Sequence, residues 1–139
     1  MKIQHGAIAV STSAATDIID ITEKAHRFAA SAGIESGLFT ASVAGSTASI
    51  TTIEYESGVI EDLKKAIEEI VPSDRKYAHD ARWGDGNGYS HVRAALLKPS
   101  VTIPVLDGEI NLGTWQQLVL LDFDNKSRKR QITFSILGS

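Results

Sequence analysis

Cysteine is absent from the 139-residue chain. A disulfide framework, a thiolate nucleophile and a cysteine-ligated zinc or iron–sulfur site are excluded with it. A basic surplus is lacking too: 14 Lys and Arg stand against 17 Asp and Glu, a net charge of −3. A protein that binds nucleic acid by neutralising phosphates needs the opposite balance. No run approaches the ~20 apolar residues that span a bilayer. The start, Met1-Lys2-Ile3-Gln4-His5-Gly6, has neither the charged opening nor the apolar run of a signal peptide. The expectation is a cytoplasmic protein with no nucleic-acid or membrane partner. Apolar residues make up 42% and charged residues 22%, values that support a real core and exclude disorder. The length suits one domain over residues 1–139.

Pattern then divides the chain. Ile3, Ile8 and Val10 predict an opening strand. Asp20-Ile21-Thr22-Glu23 reads as a capping box, followed by Ile21, Ala25, Phe28, Ala29 and Ala32 at helical spacing and by Gly33 as a left-handed terminus. Leu38 to Val43 and Ala48 to Ile53 read as strands around the turn Ala44–Thr47. Ser57 opens a second helix with Ile60, Leu63, Ile67 and Ile70 on one stripe, Glu61 and Lys65 paired on the other face, and Pro72 at the end. Ser73 to Tyr89 reads as a long ordered loop. A short helix His91–Leu97 follows, then a strand Ser100–Val105, a hairpin turn at Asp107-Gly108, a strand Thr114–Phe123 and a closing strand Arg128–Leu137. Strands joined by short turns, with two solid helices, predict an α+β fold: a largely antiparallel sheet system covered by helices.

Four segments could carry chemistry. His79, Asp80, Asp85 and His91, within the span 79–91, combine imidazole with carboxylate oxygen, a set suited to zinc, manganese or iron and to general acid–base work. The alternative is local: His79 capping a turn and Asp85 or Asn87 forming an Asx turn. Gly45-Ser46-Thr47 offers amides and hydroxyls to an anion but lacks the Gly-Lys-Ser/Thr ending of a phosphate-binding Walker loop, and it equally suits a plain strand connection. Glu54 and Glu56 lie between a strand and a helix; Glu56 suits the helix N-terminus, which leaves Glu54 for chemistry. Gln116 and Gln117 open the strand after Gly113-Thr114-Trp115, so one amide is expected to face inward and need a partner. Lys126, Arg128, Lys129 and Arg130 read as a solvated hairpin end.

Taken together, Thr51-Thr52-Ile53-Glu54-Tyr55-Glu56, Tyr77-Ala78-His79-Asp80, Asp85-Gly86-Asn87-Gly88-Tyr89-Ser90-His91-Val92-Arg93-Ala94 and Leu112-Gly113-Thr114-Trp115-Gln116-Gln117 resemble the YjbQ family, also labelled secondary thiamine-phosphate synthase. The likeness runs from about Ile18 to Gly138. It implies a layered, sandwich-like α+β domain with two main flanking helices, assembled as a homotrimer, and a polar pocket near the subunit boundary. It implies a divalent metal, zinc or magnesium, on His79, Asp85 and His91. It further implies Glu54, His79, Asp85 and His91 as catalytic residues, and Asn87, Arg93 and Gln116 around a small phosphorylated substrate, to which the residues themselves add Gly45, Ser46 and Thr47 as an anion-binding turn. The implied activity joins a pyrimidine methyl diphosphate to a thiazole phosphate with release of pyrophosphate; a metal-assisted phosphoester hydrolase and a trimeric binding protein without turnover are the alternatives. Many members carry histidines where Gly45 and Tyr89 stand, so His79 and His91 are left to bind metal with carboxylates or water.

Overall fold

The computed structural model describes all residues, Met1–Ser139. Its elements in chain order are β1 (Lys2–Ser11), β2 (Asp17–Asp20), α1 (Thr22–Ala32), β3 (Ser36–Val43), β4 (Ala48–Ile53), α2 (Ser57–Ile70), α3 (Ala78–Trp83), α4 (Gly88–Leu97), β5 (Ser100–Leu106), β6 (Glu109–Ile110), β7 (Gln117–Asp122) and β8 (Lys129–Gly138). Every strand pair is antiparallel. One sheet runs β1-β8-β3-β5-β6 and the other β2-β7-β4.

Side-chain periodicity explains the layering. In β8, Ile132, Phe134 and Ile136 are buried while Gln131 and Thr133 are exposed, so one face of the large sheet points inward. In β7 the run Leu118-Val119-Leu120-Leu121 is buried throughout, because both faces of the small sheet are covered. Leu118 and Leu120 join Phe39, Ile50, Phe134 and α1 residues in the main core. Val119, Leu121 and Phe123 turn the other way, onto Ile60, Leu63 and Ile67 of α2 and Ala94 and Leu97 of α4. The order is therefore large sheet, small sheet, helices. At about 25 cal/mol per Å² of apolar area, these two contact layers carry most of the favourable free energy.

Several elements depart from expectation. Asp20 does not form a capping box: its Oδ1 accepts from the Thr22 amide (2.9 Å) and hydroxyl, while Glu23 pairs with Arg27 one turn on. Glu56, by contrast, caps α2, accepting from the Gly58 and Val59 amides at 2.8 and 2.9 Å, which hold its carboxyl below the usual range. Ile70 lies off the apolar stripe and is exposed. Residues 17–20 form a strand, and Thr114 to Gln116 precede the strand rather than open it. The expected loop 73–89 contains α3 and the first two residues of α4.

Candidate functional site

Helices α3 and α4 meet at Gly88. A β-carbon there would lie 2.7 Å from Tyr77 Cβ, so only glycine permits the approach. Asp80 Oδ1, on α3, accepts from the Gly88 amide at 2.8 Å and caps α4 from outside its own segment. Partial burial raises the Asp80 carboxyl, but the Gly88 amide and the His79 ring outweigh it, and the group sits below the usual carboxylate range.

This joint sets a cluster. His79 Nδ1 lies 3.2 Å from Asp80 Oδ1 and 3.3 Å from Asp85 Oδ1. Ligand atoms of His79, Asp80 and Asp85 all fall within 4.8 Å of one another. The His91 ring, on the first turns of α4, stacks 4.5 Å from that of His79. The Asp80 carboxylate on Nδ1 leaves His79 Nε2 without a protein partner, the arrangement by which metalloproteins orient a ligating imidazole. The imidazole and carboxylate donors suit a divalent cation, and waters would complete its shell. His91 also lines a cavity of about 290 Å³ with Gly45, Ser46, Ala94 and Pro99.

Behind the cluster lies a buried polar network between the sheets. Arg130 donates from Nε to Asp122 Oδ2 (2.7 Å) and from Nη2 to Asp122 Oδ1 (2.9 Å) and Thr47 Oγ1 (2.6 Å). Thr47 in turn donates to Asp124 Oδ2, and Thr12 to Asp122 Oδ2. Asn87 Nδ2 donates to Asp124 Oδ2, and its Oδ1 accepts from Ser90 Oγ and the Asn125 amide. Burial raises the Asp124 carboxyl, but the Lys126 amide, Thr47, Arg128 and Asn87 bring it below the usual range. The Asp122 carboxylate keeps the Arg130 guanidinium charged more firmly than usual. Arg128 and Arg130 pair with Asp124 and Asp122, while Asp80 and Asp85 flank His79.

The sequence-derived candidates divide accordingly. His79, Asp85 and His91 come together, with Gly45 and Ser46 on the adjoining cavity. Thr47 and Asn87 are nearby, but their side chains are turned inward and fully bonded, so they position rather than contact a ligand. Arg93 is not at the cavity. It is 2% exposed, stacks on Tyr89 and donates to Val71 O, Thr16 Oγ1 and Glu68 Oε2, because residues two apart on a helix point to opposite sides. Glu54 and Gln116 stand at the far end of β4, about 20 Å away by strand rise. Glu54 shares an open cleft there with Tyr55, Trp115 and Gln117. Neither glutamine faces inward: Gln116 bridges the Gly113 amide and Thr52 Oγ1, and Gln117 Oε1 accepts from the Tyr55 amide. The basic group 126–130 is not wholly solvated, since Arg130 is buried. A signal existed: Arg130 is in phase with Ile132, Phe134 and Ile136, and Asp122 with Leu118 and Leu120.

Comparison with known proteins gives the family. The model described as UPF0047 protein YjbQ-like matches residues 6–139. The chain belongs to this YjbQ-like family. A UPF0047 protein of Methanothermobacter thermautotrophicus is 36% identical over 138 residues, covering 99% of this chain and 94% of the relative. A crystal structure of a YbjQ-like protein of unknown function from Sulfolobus solfataricus P2 superimposes with a TM-score of 0.94 at 33% identity, covering 99% of both chains. A hypothetical protein from Aeropyrum pernix K1 gives 0.90 at 27% identity over 98% of this chain and 99% of its own. The YjbQ-like fold thus has two antiparallel sheets and helices, and no helix in it is long and apolar enough to cross a membrane.

Proposed function

We propose that the chain is a metal-assisted transferase acting on small phosphorylated metabolites, of the thiamine-phosphate synthase type. The observation that carries this reading is the convergence of His79, Asp85 and His91 beside the cavity of Gly45 and Ser46. In this reaction the carbon–oxygen bond of a pyrimidine methyl diphosphate breaks, its electron pair leaving on pyrophosphate. The thiazole nitrogen supplies the pair for the new carbon–nitrogen bond. A divalent cation held by His79, Asp85 and His91 would neutralise the departing oxyanion. The chain's own groups do the rest. Asp80 fixes the His79 ring through Nδ1 and keeps Nε2 facing outward. The Gly45–Ser46 turn offers donors to phosphate oxygens, and the cavity wall of Ala94 and Pro99 holds the apolar part of a ligand.

Hydrolysis of a phosphoester is favoured by one feature, the carboxylate-backed imidazole, which also suits activation of water. A turnover assay with the pyrimidine diphosphate and thiazole phosphate, with and without chelator, separates the two. Coupled product that disappears on chelation is expected. No product at any metal concentration overturns the synthase reading, and phosphate release from simple esters replaces it with hydrolysis.

The same proposal includes a homotrimer. Ile3, Leu137, Leu38 and Pro104 form a register-aligned apolar row across the outer face of the large sheet, exposed in one protomer. Burial against a second copy would remove this row from water. Light scattering is expected to give a trimer mass for the parent chain and a smaller one for Leu38→Asp; a monomeric parent overturns the assembly.

A further inference from the structure

We propose that Arg130 Nη1, together with the Gly45–Ser46 turn, forms a subsite for a phosphoryl oxyanion beside the His91 cavity, reached through Gly45. The inference deepens the phosphorylated-substrate reading above and rests on it. Arg130 is 9% exposed, and its guanidinium is fixed by the paired bonds to Asp122 and the bond to Thr47. Nη1 alone makes no hydrogen bond. No enclosed polar side-chain atom lacks a partner, so Nη1 retains contact with solvent. It lies 2.9 Å from the point where a β-carbon at position 45 would stand.

Gly45 is therefore a window. With φ at +128° it holds a backbone conformation that residues with a β-carbon rarely adopt, and it leaves uncovered the one guanidinium nitrogen that has donors to spare. The same glycine, with Ser46, lines the His91 cavity, and the exposed Ser46 hydroxyl has no protein partner. A guanidinium already immobilised on a carboxylate loses little freedom when it takes an oxyanion, and its planar donors match phosphoryl oxygens. A β-carbon at position 45 would cover Nη1. The subsite thus depends on glycine at 45, which puts a fixed positive charge next to a residue of the cavity wall.

The test titrates inorganic phosphate and pyrophosphate into the full chain in excess chelator, followed by calorimetry and by nitrogen-15 spectra of arginine side chains. Saturable binding with a shift of the Arg130 signals is expected, and acetate does not compete. Gly45→Ala weakens binding about ten-fold or more. Ser46→Ala, which removes a hydroxyl without structural partners and so leaves folding intact, weakens it by a smaller factor. Absence of saturable binding in chelator, stationary Arg130 signals, or unchanged affinity in Ser46→Ala and a folded Gly45→Ala would each overturn the subsite. Turnover that ignores both substitutions removes the subsite and leaves the transferase reading. Phosphate binding without turnover does the reverse.

Discussion

The two ends of β4 use similar residue types to opposite effect. At the Glu54 end, carboxylates and amides are consumed locally: Glu56 caps α2, Asp20 holds Thr22, and Gln116 and Gln117 tie down the 113–117 turn. At the His91 end the inward groups are bonded just as fully, but they form a frame. Asn87, Thr47, Asp122 and Asp124 fix one another, with His91 and Ser46 on the cavity and His79 Nε2 and Arg130 Nη1 without protein partners beside it. A saturated buried network with free donors at its rim is a preorganised site. Saturated surface turns with one spare carboxylate are not.

Four experiments press on that contrast. The largest effect is expected from Asp122→Ala, which strands the buried Arg130 guanidinium. Loss of about 3–5 kcal/mol is expected in urea denaturation, because one partner of a buried pair is removed. A loss under 1 kcal/mol would show that the frame is not rigid. Next, His91→Ala and Asp85→Asn abolish divalent-metal binding by calorimetry while changing stability by less than about 0.5 kcal/mol, since both groups sit at the rim. Unfolding of either variant would move that residue into the frame.

Acid comes third. The Asp80 and Asp124 carboxyls are held below their ordinary value in the folded state. Their contribution is complete above the unfolded pKa of about 4 and is lost as pH falls through the depressed folded value. Denaturation midpoints measured from pH 6 downward are expected to decline below about pH 4, and Asp124→Asn should flatten the decline. The smallest effect belongs to Glu54→Gln, expected to leave metal affinity within about two-fold, because sites this far apart act independently. A larger change would mean that the two ends meet across protomers.

Much of the frame was readable in advance. Alternation in β8, the continuous apolar run of β7 and the stripe of α2 follow from burial on one face, two faces and one helical side. Helix α3 was not readable: six residues give too few turns for a period, and its start lacks a side-chain cap. The site was readable in its residue types and only partly in their placement. His79, Asp85 and His91 converge because a short helix, a turn and a helix start fold onto Gly88, which spacing alone does not reveal. Arg93 follows the opposite logic. Once residues 91–97 are taken as helical, its separation of two from His91 already points it away from the imidazole. Glu54 was misplaced because a strand end has two possible rims, and only the pairing with β7 decides between them.

One contact has a practical consequence. The Asp80 oxygen that receives the Gly88 N–H also abuts the imidazole that would take up a cation. A cation on the far nitrogen of that ring would make Nδ1–H a stronger donor to the same oxygen and so weaken its hold on the Gly88 amide. Deuterium uptake at a single amide, that of Gly88, becomes a reporter of whether the site is filled.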